Sequence, residues 1–303
     1  MTESVHKTVL LNETIEGLNL LAPKKVGSSK LVVIDCTFGG GGHSKEILVR
    51  YPNVKVIAFD QDNSAWDKAK GKFEGLESRI TFLNKNFRDI DMEPGSIDAI
   101  LFDLGLSSDQ LENSGRGFSF MKNEPLYMTM KENPSPDDLT ADDIVNGWSE
   151  KSLADIIYGY GEERFSRKIA KGIVDARQKA DIKTTFELVK IIESSVPASY
   201  RKGRINCATK TFQALRIAVN DELGVLKTGL EKGFSVLKIG GRMSVISFHS
   251  LEDRVTKKFY KEKEREGFAK LINKKPIVAS GEELRNNPRS RSAKLRILEK
   301  INK

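Results

Sequence analysis

The stretch that most constrains the fold of this chain is Cys36-Thr37-Phe38-Gly39-Gly40-Gly41-Gly42-His43, set between a short β-branched run, Leu31 to Asp35, and a helical stretch opening at Ser44. Four glycines in a row cannot continue a strand or start a helix cheaply, so the order reads strand, tight loop, helix. A loop of this kind at the carboxyl end of a strand lets backbone amides come close to a ligand, and open α/β sheets bind their ligands at that edge. The loop is not a dinucleotide fingerprint. Counted from Gly39 the sixth position of G-x-G-x-x-G is Ser44, and counted from Gly40 it is Lys45.

The same alternation repeats downstream. Val54 to Phe59 ends at Asp60, after which Asn63 or Ser64 can cap a helix running to about Phe73; Arg79 to Leu83 and Ile97 to Phe102 are two further strands. Strands alternating with helices predict a parallel sheet covered on both faces. From Asn113 to about Arg204 only helical periodicity is found: Phe165, Ile169 and Ile173 recur at four-residue spacing, and Thr184 to Glu187 forms a capping box. The sheet pattern then returns, with Phe212, Leu215, Val219 and Leu223 on a helix, a turn at Gly240-Gly241, a strand from Met243 to Phe248, and Lys294 to Leu298 as a final edge strand. The expected organisation is a discontinuous α/β domain, 1–112 and 205–303, interrupted by a helical domain, 113–204. Lys261 to Glu266 is a charge run expected on a solvated helix or linker.

Composition narrows the class further. The chain has 303 residues with 50 Lys+Arg and 42 Asp+Glu, a formal charge of +8. From Arg254 to Lys303 there are 16 basic and 6 acidic residues, a local excess of +10 that calls for an acidic partner. No apolar run reaches the roughly 18 residues of a membrane span, and Met1 to His6 lacks a basic-then-apolar leader, so a cytoplasmic location is expected. Cys36 and Cys207 are the only cysteines. They are too isolated for a disulfide framework, and without zinc-ligand spacing no metal is expected.

Several residues are candidates for chemistry. Asp60, 21 residues past Gly39 at a strand end, can accept hydrogen bonds from both hydroxyls of an unphosphorylated ribose. Asp103, at the end of the fourth strand in Asp103-Leu104-Gly105-Leu106-Ser107-Ser108, projects into the same crevice and is the expected reaction centre. His249 follows another strand, and Ser250 to Asp253 resembles a capping box led by Ser250. Serine hydrolase chemistry has the residue types but no G-x-S-x-G elbow. Arg201, Lys202, Arg204, Lys210 and Arg216 lie in a segment, Ser194 to Asn220, with no acid at all; with Arg289, Arg291, Lys294 and Arg296 they form an expected phosphate-tracking surface. Phe118 and Phe120 are candidates to stack on bases, with core packing as the plainer alternative.

Taken together these residues are recognisable. The segments Thr8 to Leu11, Asp35 to Ser44, Asp103 to Leu111, Arg116 to Phe120, Tyr160 to Phe165, Thr211 to Asn220, Ser247 to Arg254 and Asn287 to Ser292 stand in order along nearly the whole chain. In them the chain resembles the bacterial small-subunit (16S) ribosomal RNA cytosine-N4 methyltransferases. The resemblance implies an α/β fold, a Rossmann-like class I methyltransferase sheet with an inserted helical domain. It implies S-adenosyl-L-methionine as cofactor, held by Gly41, Gly42, His43, Asp60, Phe87, Asp103 and Gln110, with Phe87 against the adenine; Asp103, from its place at the strand end, is also the expected catalytic acceptor of the amine hydrogen bond. The implied partner is ribosomal RNA or the small ribosomal subunit, with a homodimer left open. Two departures bear on substrate handling: Tyr127 and Thr129 stand where the family has an acid and an arginine, and Asn206-Cys207 replace His-Pro. They keep a catalytically silent RNA-binding or assembly factor as a rival, and a nicotinamide-dependent oxidoreductase is the other.

Overall fold

The computed structural model describes residues 7–20 and 30–302. The stretch Met1 to His6, read above for a leader, lies outside the described residues. Two compact units form: a sheet unit made by the chain up to Gly105 and again from Leu223, and a helical unit from Leu106 to Glu222.

The sheet unit is built on seven strands: β1 (Leu31–Asp35), β2 (Val54–Asp60), β3 (Ile80–Asn84), β4 (Ile97–Asp103), β5 (Leu237–Ser247), β6 (Ala269–Leu271) and β7 (Lys294–Lys300). Their order in the sheet is β3-β2-β1-β4-β5-β7-β6. The first five pair in parallel; β7 is antiparallel to both β5 and β6. Central β1 and β4 bury Val33, Ile34, Ile100, Leu101 and Phe102 completely, which is why they read as continuous apolar runs. Ile47, Leu48 and Phe73 belong to the core on one side of the sheet, and Leu226, Leu230 and Tyr260 to the core on the other.

Two expectations are corrected here. Lys294 to Leu298 is not the edge: the three-residue β6 lies beyond it, too short to register as a strand in sequence. Gly240-Gly241 are not a turn ahead of the strand. Gly240, at φ 80°, lies inside β5, where the pairing with β4 slips between Ile97 and Ala99, so the two glycines form an irregularity within one long strand.

The helical unit has its own core, including Ile144, Leu153, Ile157, Ile169, Ile173 and Leu188. The capping box at Thr184 is present, with Thr184 Oγ1 accepting from the Glu187 N–H and the Glu187 carboxylate accepting in return. This unit is wider than 113–204. Phe212 and Leu215, read above as marks of the returning sheet pattern, bury their side chains in the helical core. The helix Thr209–Asn220 that carries them opens after Asn206, whose side chain accepts from the Ala208 N–H at 2.8 Å. Tyr127 is 44% exposed and Thr129 is buried. Among the described residues no helix is long and apolar enough to cross a membrane.

Candidate functional site

Three adjacent parallel strands end in carboxylates: β2 in Asp60, β1 in Asp35 and β4 in Asp103. Asp35 pairs with Ala58 on one side and Leu101 on the other, so Asp60 and Asp103 both extend beyond it along the strands. The glycine loop is laced onto this edge. The Gly39 N–H donates to Asp60 Oδ2 at 2.7 Å and the Asp62 N–H to Asp60 Oδ1 at 2.9 Å. The Thr37 N–H donates to Asp35 Oδ1 at 3.1 Å, the Ser44 hydroxyl to Asp35 Oδ2 at 2.6 Å, and the Asp103 N–H to Thr37 Oγ1 at 2.6 Å.

Glycine is required at the helix entry. Gly41 has φ 72°, and a Cβ there would meet the Phe38 and Phe73 rings at 2.9 Å; a Cβ on Gly42 would lie 1.9 Å from Thr8 Oγ1. The helix Gly42–Arg50 starts here, and its second residue, His43, is buried with Nδ1 3.5 Å from Asp103 Oδ2.

The electrostatics of the edge are unusual for a crevice. Burial pushes Asp35 up to about 6 against the opposing hydrogen bonds from Ser44 and Thr37. Burial likewise raises Asp60 to about 6, against hydrogen bonds from the Asp62 and Gly39 amides. Asp103 is held well above the ordinary carboxylate range by burial, then by the charges of Asp35 and Glu252. Its Oδ1 is buried with no hydrogen-bond partner. Buried carboxylate oxygens are nearly always paired, so an unpaired one at a strand end marks Asp103 as the candidate reaction centre. The arrangement suits a cationic ligand carrying hydroxyls. It is hostile to a pyrophosphate, which counts against a nicotinamide dinucleotide.

The structure distributes the expected residues unevenly. Gly41, Gly42, His43, Asp60 and Asp103 come together on this edge. Asp60 is also a loop organiser, because both of its oxygens already accept backbone N–H groups. Phe87 opens the turn after β3, with its ring edge-on to Phe102 at 5.3 Å and tight against Gly229, so the core fixes the ring. Gln110 belongs to the helical unit, where it completes a capping box with Ser107. His249, not Ser250, caps the helix Ser250–Arg265: its Nδ1 accepts from the Glu252 N–H, and Glu252 accepts from the Phe248 and His249 N–H groups. Phe118 is core, and Phe120 packs on Phe212 at 5.6 Å. Of the basic residues, Arg216 is tied to Glu222 and Arg296 to Asp253, each through paired hydrogen bonds. Asp35 and Thr37 are bonded into this edge and lie outside the sequence-based candidates. The signal for Asp35 is its place, an acid closing a strand directly before the glycine loop; nothing in the sequence marks Thr37.

The sequence pattern of the MraW methylase family matches residues 3–301. Proteins named ribosomal RNA small subunit methyltransferase H are similar along almost their full length. That of Nostoc punctiforme is 48% identical, over 98% of this chain and 94% of its own. Those of Paenibacillus sp. and Lactobacillus johnsonii are 42% and 43% identical, each over 98% of this chain and 99% of theirs. The seven-stranded α/β sheet has its β7 reversed, and the chain belongs to the MraW methylase family.

Proposed function

We propose that this chain is an S-adenosylmethionine-dependent methyltransferase that methylates the exocyclic N4 of a cytidine in the decoding region of small-subunit ribosomal RNA. The observation that carries the reading is the Asp103 carboxylate, whose buried Oδ1 has no hydrogen-bond partner, at a sheet edge where three strands end in acids. When bound, S-adenosylmethionine supplies an electrophilic methyl on a sulfonium. The residues fit such a group: Asp35, Asp60 and Asp103 favour a cation, Asp60 retains lone pairs for ribose hydroxyls, and the glycine loop is held at the same edge through the Gly39 N–H on Asp60.

The protein's own part is to aim the amine. A cytosine N4 lone pair is conjugated with the ring and is a poor nucleophile. Asp103 Oδ1 accepts an N–H hydrogen bond from that amine, which turns its lone pair toward the methyl. The raised proton affinity of Asp103 suits it to take the proton that the amine sheds on methylation. Thr37, holding the Asp103 backbone N–H, and His43, beside Oδ2, fix the carboxylate's direction. Phe87, braced edge-on by Phe102, is the residue this reading sets against the adenine. Within this reading Gln110 is a further cofactor contact, the sheet unit holds the cofactor, the substrate is free ribosomal RNA or the small subunit, the location is cytoplasmic, and a homodimer is tested by sedimentation.

The test is transfer of labelled methyl to naked ribosomal RNA and to small subunits, with the modified base mapped. Asp103→Asn is expected to lower turnover by roughly 10² or more with a smaller loss of cofactor affinity, because an interaction made in the transition state changes the chemical step. Normal turnover at saturating cofactor would make Asp103 a binding residue only.

A further inference from the structure

The segment Tyr160 to Phe165 carries no part of the site above, yet it builds a distinctive surface on the helical unit. Glu163 is fully buried: one carboxylate oxygen accepts from the Phe165 N–H at 2.8 Å and the other from the Tyr200 hydroxyl at 2.5 Å. The Phe165 and Tyr200 rings meet edge to face, with centroids 4.9 Å apart. The exposed Arg164 guanidinium lies over both, 4.8 Å from the Phe165 centroid and 5.1 Å from that of Tyr200. Directly after Tyr200 comes a run in which every residue from Arg201 to Asn206 is exposed, including Arg201, Lys202 and Arg204. Among the described residues, none of these four cations is within ion-pair distance of an acid, whereas Arg216 in the same acid-free segment is bound to Glu222.

An ordinary solvated face interleaves acids with its bases. Here, among the described residues, four cations without an ion pair stand beside an aromatic pair, with Glu162 and the buried Glu163 preceding Arg164. One of them is already held against the rings, so little side-chain entropy is left to lose when its edge meets a phosphate. Ile205, 60% exposed within the basic run, adds an apolar patch suited to a sugar or base face. We propose that Arg164, stacked on Phe165 and Tyr200, together with Arg201, Lys202 and Arg204, forms a docking surface for the phosphate backbone of the RNA substrate. The proposal rests on the methyltransferase reading and extends it to the helical unit.

The test uses the full-length protein and a labelled fragment of the small-subunit decoding region, with a scrambled RNA of equal length as second probe. Anisotropy is followed over a salt series. The triple variant Arg201→Gln, Lys202→Gln, Arg204→Gln should flatten the slope of log affinity against log salt by about 2 to 3, and Arg164→Gln by about 1, equally for both RNAs. Arg164→Lys should keep the slope yet bind more weakly, since it retains the charge and loses the stacked plane. Arg216→Gln should leave the slope unchanged. In methyl transfer the triple variant should raise the KM for RNA with cofactor affinity unaltered. Unchanged slopes and KM in an enzyme that methylates normally would overturn the surface and leave the methyltransferase reading standing. Wild-type protein that binds no RNA and transfers no methyl would overturn both. Loss of binding to an acidic polypeptide, with RNA binding intact, would assign the surface to a protein partner and overturn the proposal.

Discussion

Asp35→Asn isolates the electrostatic tension of the site. Asp35 is 1% exposed, and burial lifts its pKa from the usual 3.8 to about 6. That rise corresponds to about 3 kcal/mol set against the ionised form in the folded state. Asparagine is nearly isosteric and can keep both hydrogen bonds: its oxygen accepts the Thr37 N–H, and its amide donates to Ser44, whose hydroxyl turns from donor to acceptor. The variant should therefore be more stable than wild type at neutral pH, by up to about 3 kcal/mol, or on the order of 5–10 °C in melting temperature. The sign fixes the pH window. A carboxylate whose folded pKa is raised makes the protein lose stability as pH climbs from its unfolded to its folded value. The gap between variant and wild type should be absent below the ordinary value of 3.8, open up to about 6, and stay constant above. The same change removes a negative charge that a cationic ligand uses, so S-adenosylmethionine affinity should fall about tenfold or more by calorimetry. Urea melts across that pH range decide the matter. A variant less stable than wild type at neutral pH, or a gap that persists undiminished in acid, refutes the reasoning.

Other perturbations separate roles around the site. Gly42→Ala places a methyl against Thr8 Oγ1, so it should destabilise the protein by about 1–3 kcal/mol and weaken cofactor binding, both visible by melting with and without ligand. Glu252→Gln keeps a side-chain oxygen for the Phe248 and His249 amides while removing one of the charges that raise Asp103, so the pH profile of turnover should move to lower pH. Lys300, buried, donates to the carbonyls of Phe234, Ser235 and Leu237 at the end of the helix Glu222–Val236; Lys300→Met should cost about 2 kcal/mol in urea melts and leave both Michaelis constants unchanged.

Largely buried strands are legible because their runs are mostly apolar: β1, β2 and β4 lie where the sequence places them, and each ends in an acid. What escapes depends on tertiary partners. β6 has three residues and exists only through its pairing with β7. The helix Thr209–Asn220 has an ordinary amphipathic pattern, and periodicity alone cannot say which core its buried face joins. Sequence favours Ser250 as a helix cap and leaves His249 for the cleft, because serine is the commoner capping residue; the structure gives the cap to His249 through Nδ1. Charge patterns mislead in one direction. Arg216 and Arg296 count as basic surface in sequence, but acids elsewhere in the chain neutralise them: Glu222 closes on one and Asp253 on the other.

The separation of charge along the chain gives these details a common logic. A protein of net charge +8 gathers Asp35, Asp60 and Asp103 at one sheet edge and places Glu252 where its charge acts on Asp103. Such a cluster is a standing strain, since each buried carboxylate raises the proton affinity of the next. A small cation relieves it, and binding to the folded state alone then stabilises the fold. On the docking proposal above, a polyanion is repelled by it and meets its counter-charge on Arg164, Arg201, Lys202 and Arg204 instead. The proposed roles would then sort the two reactants by sign before any base or sugar is read, with the unpaired oxygen of Asp103 assigned to the one neutral group, the amine, that must be aimed.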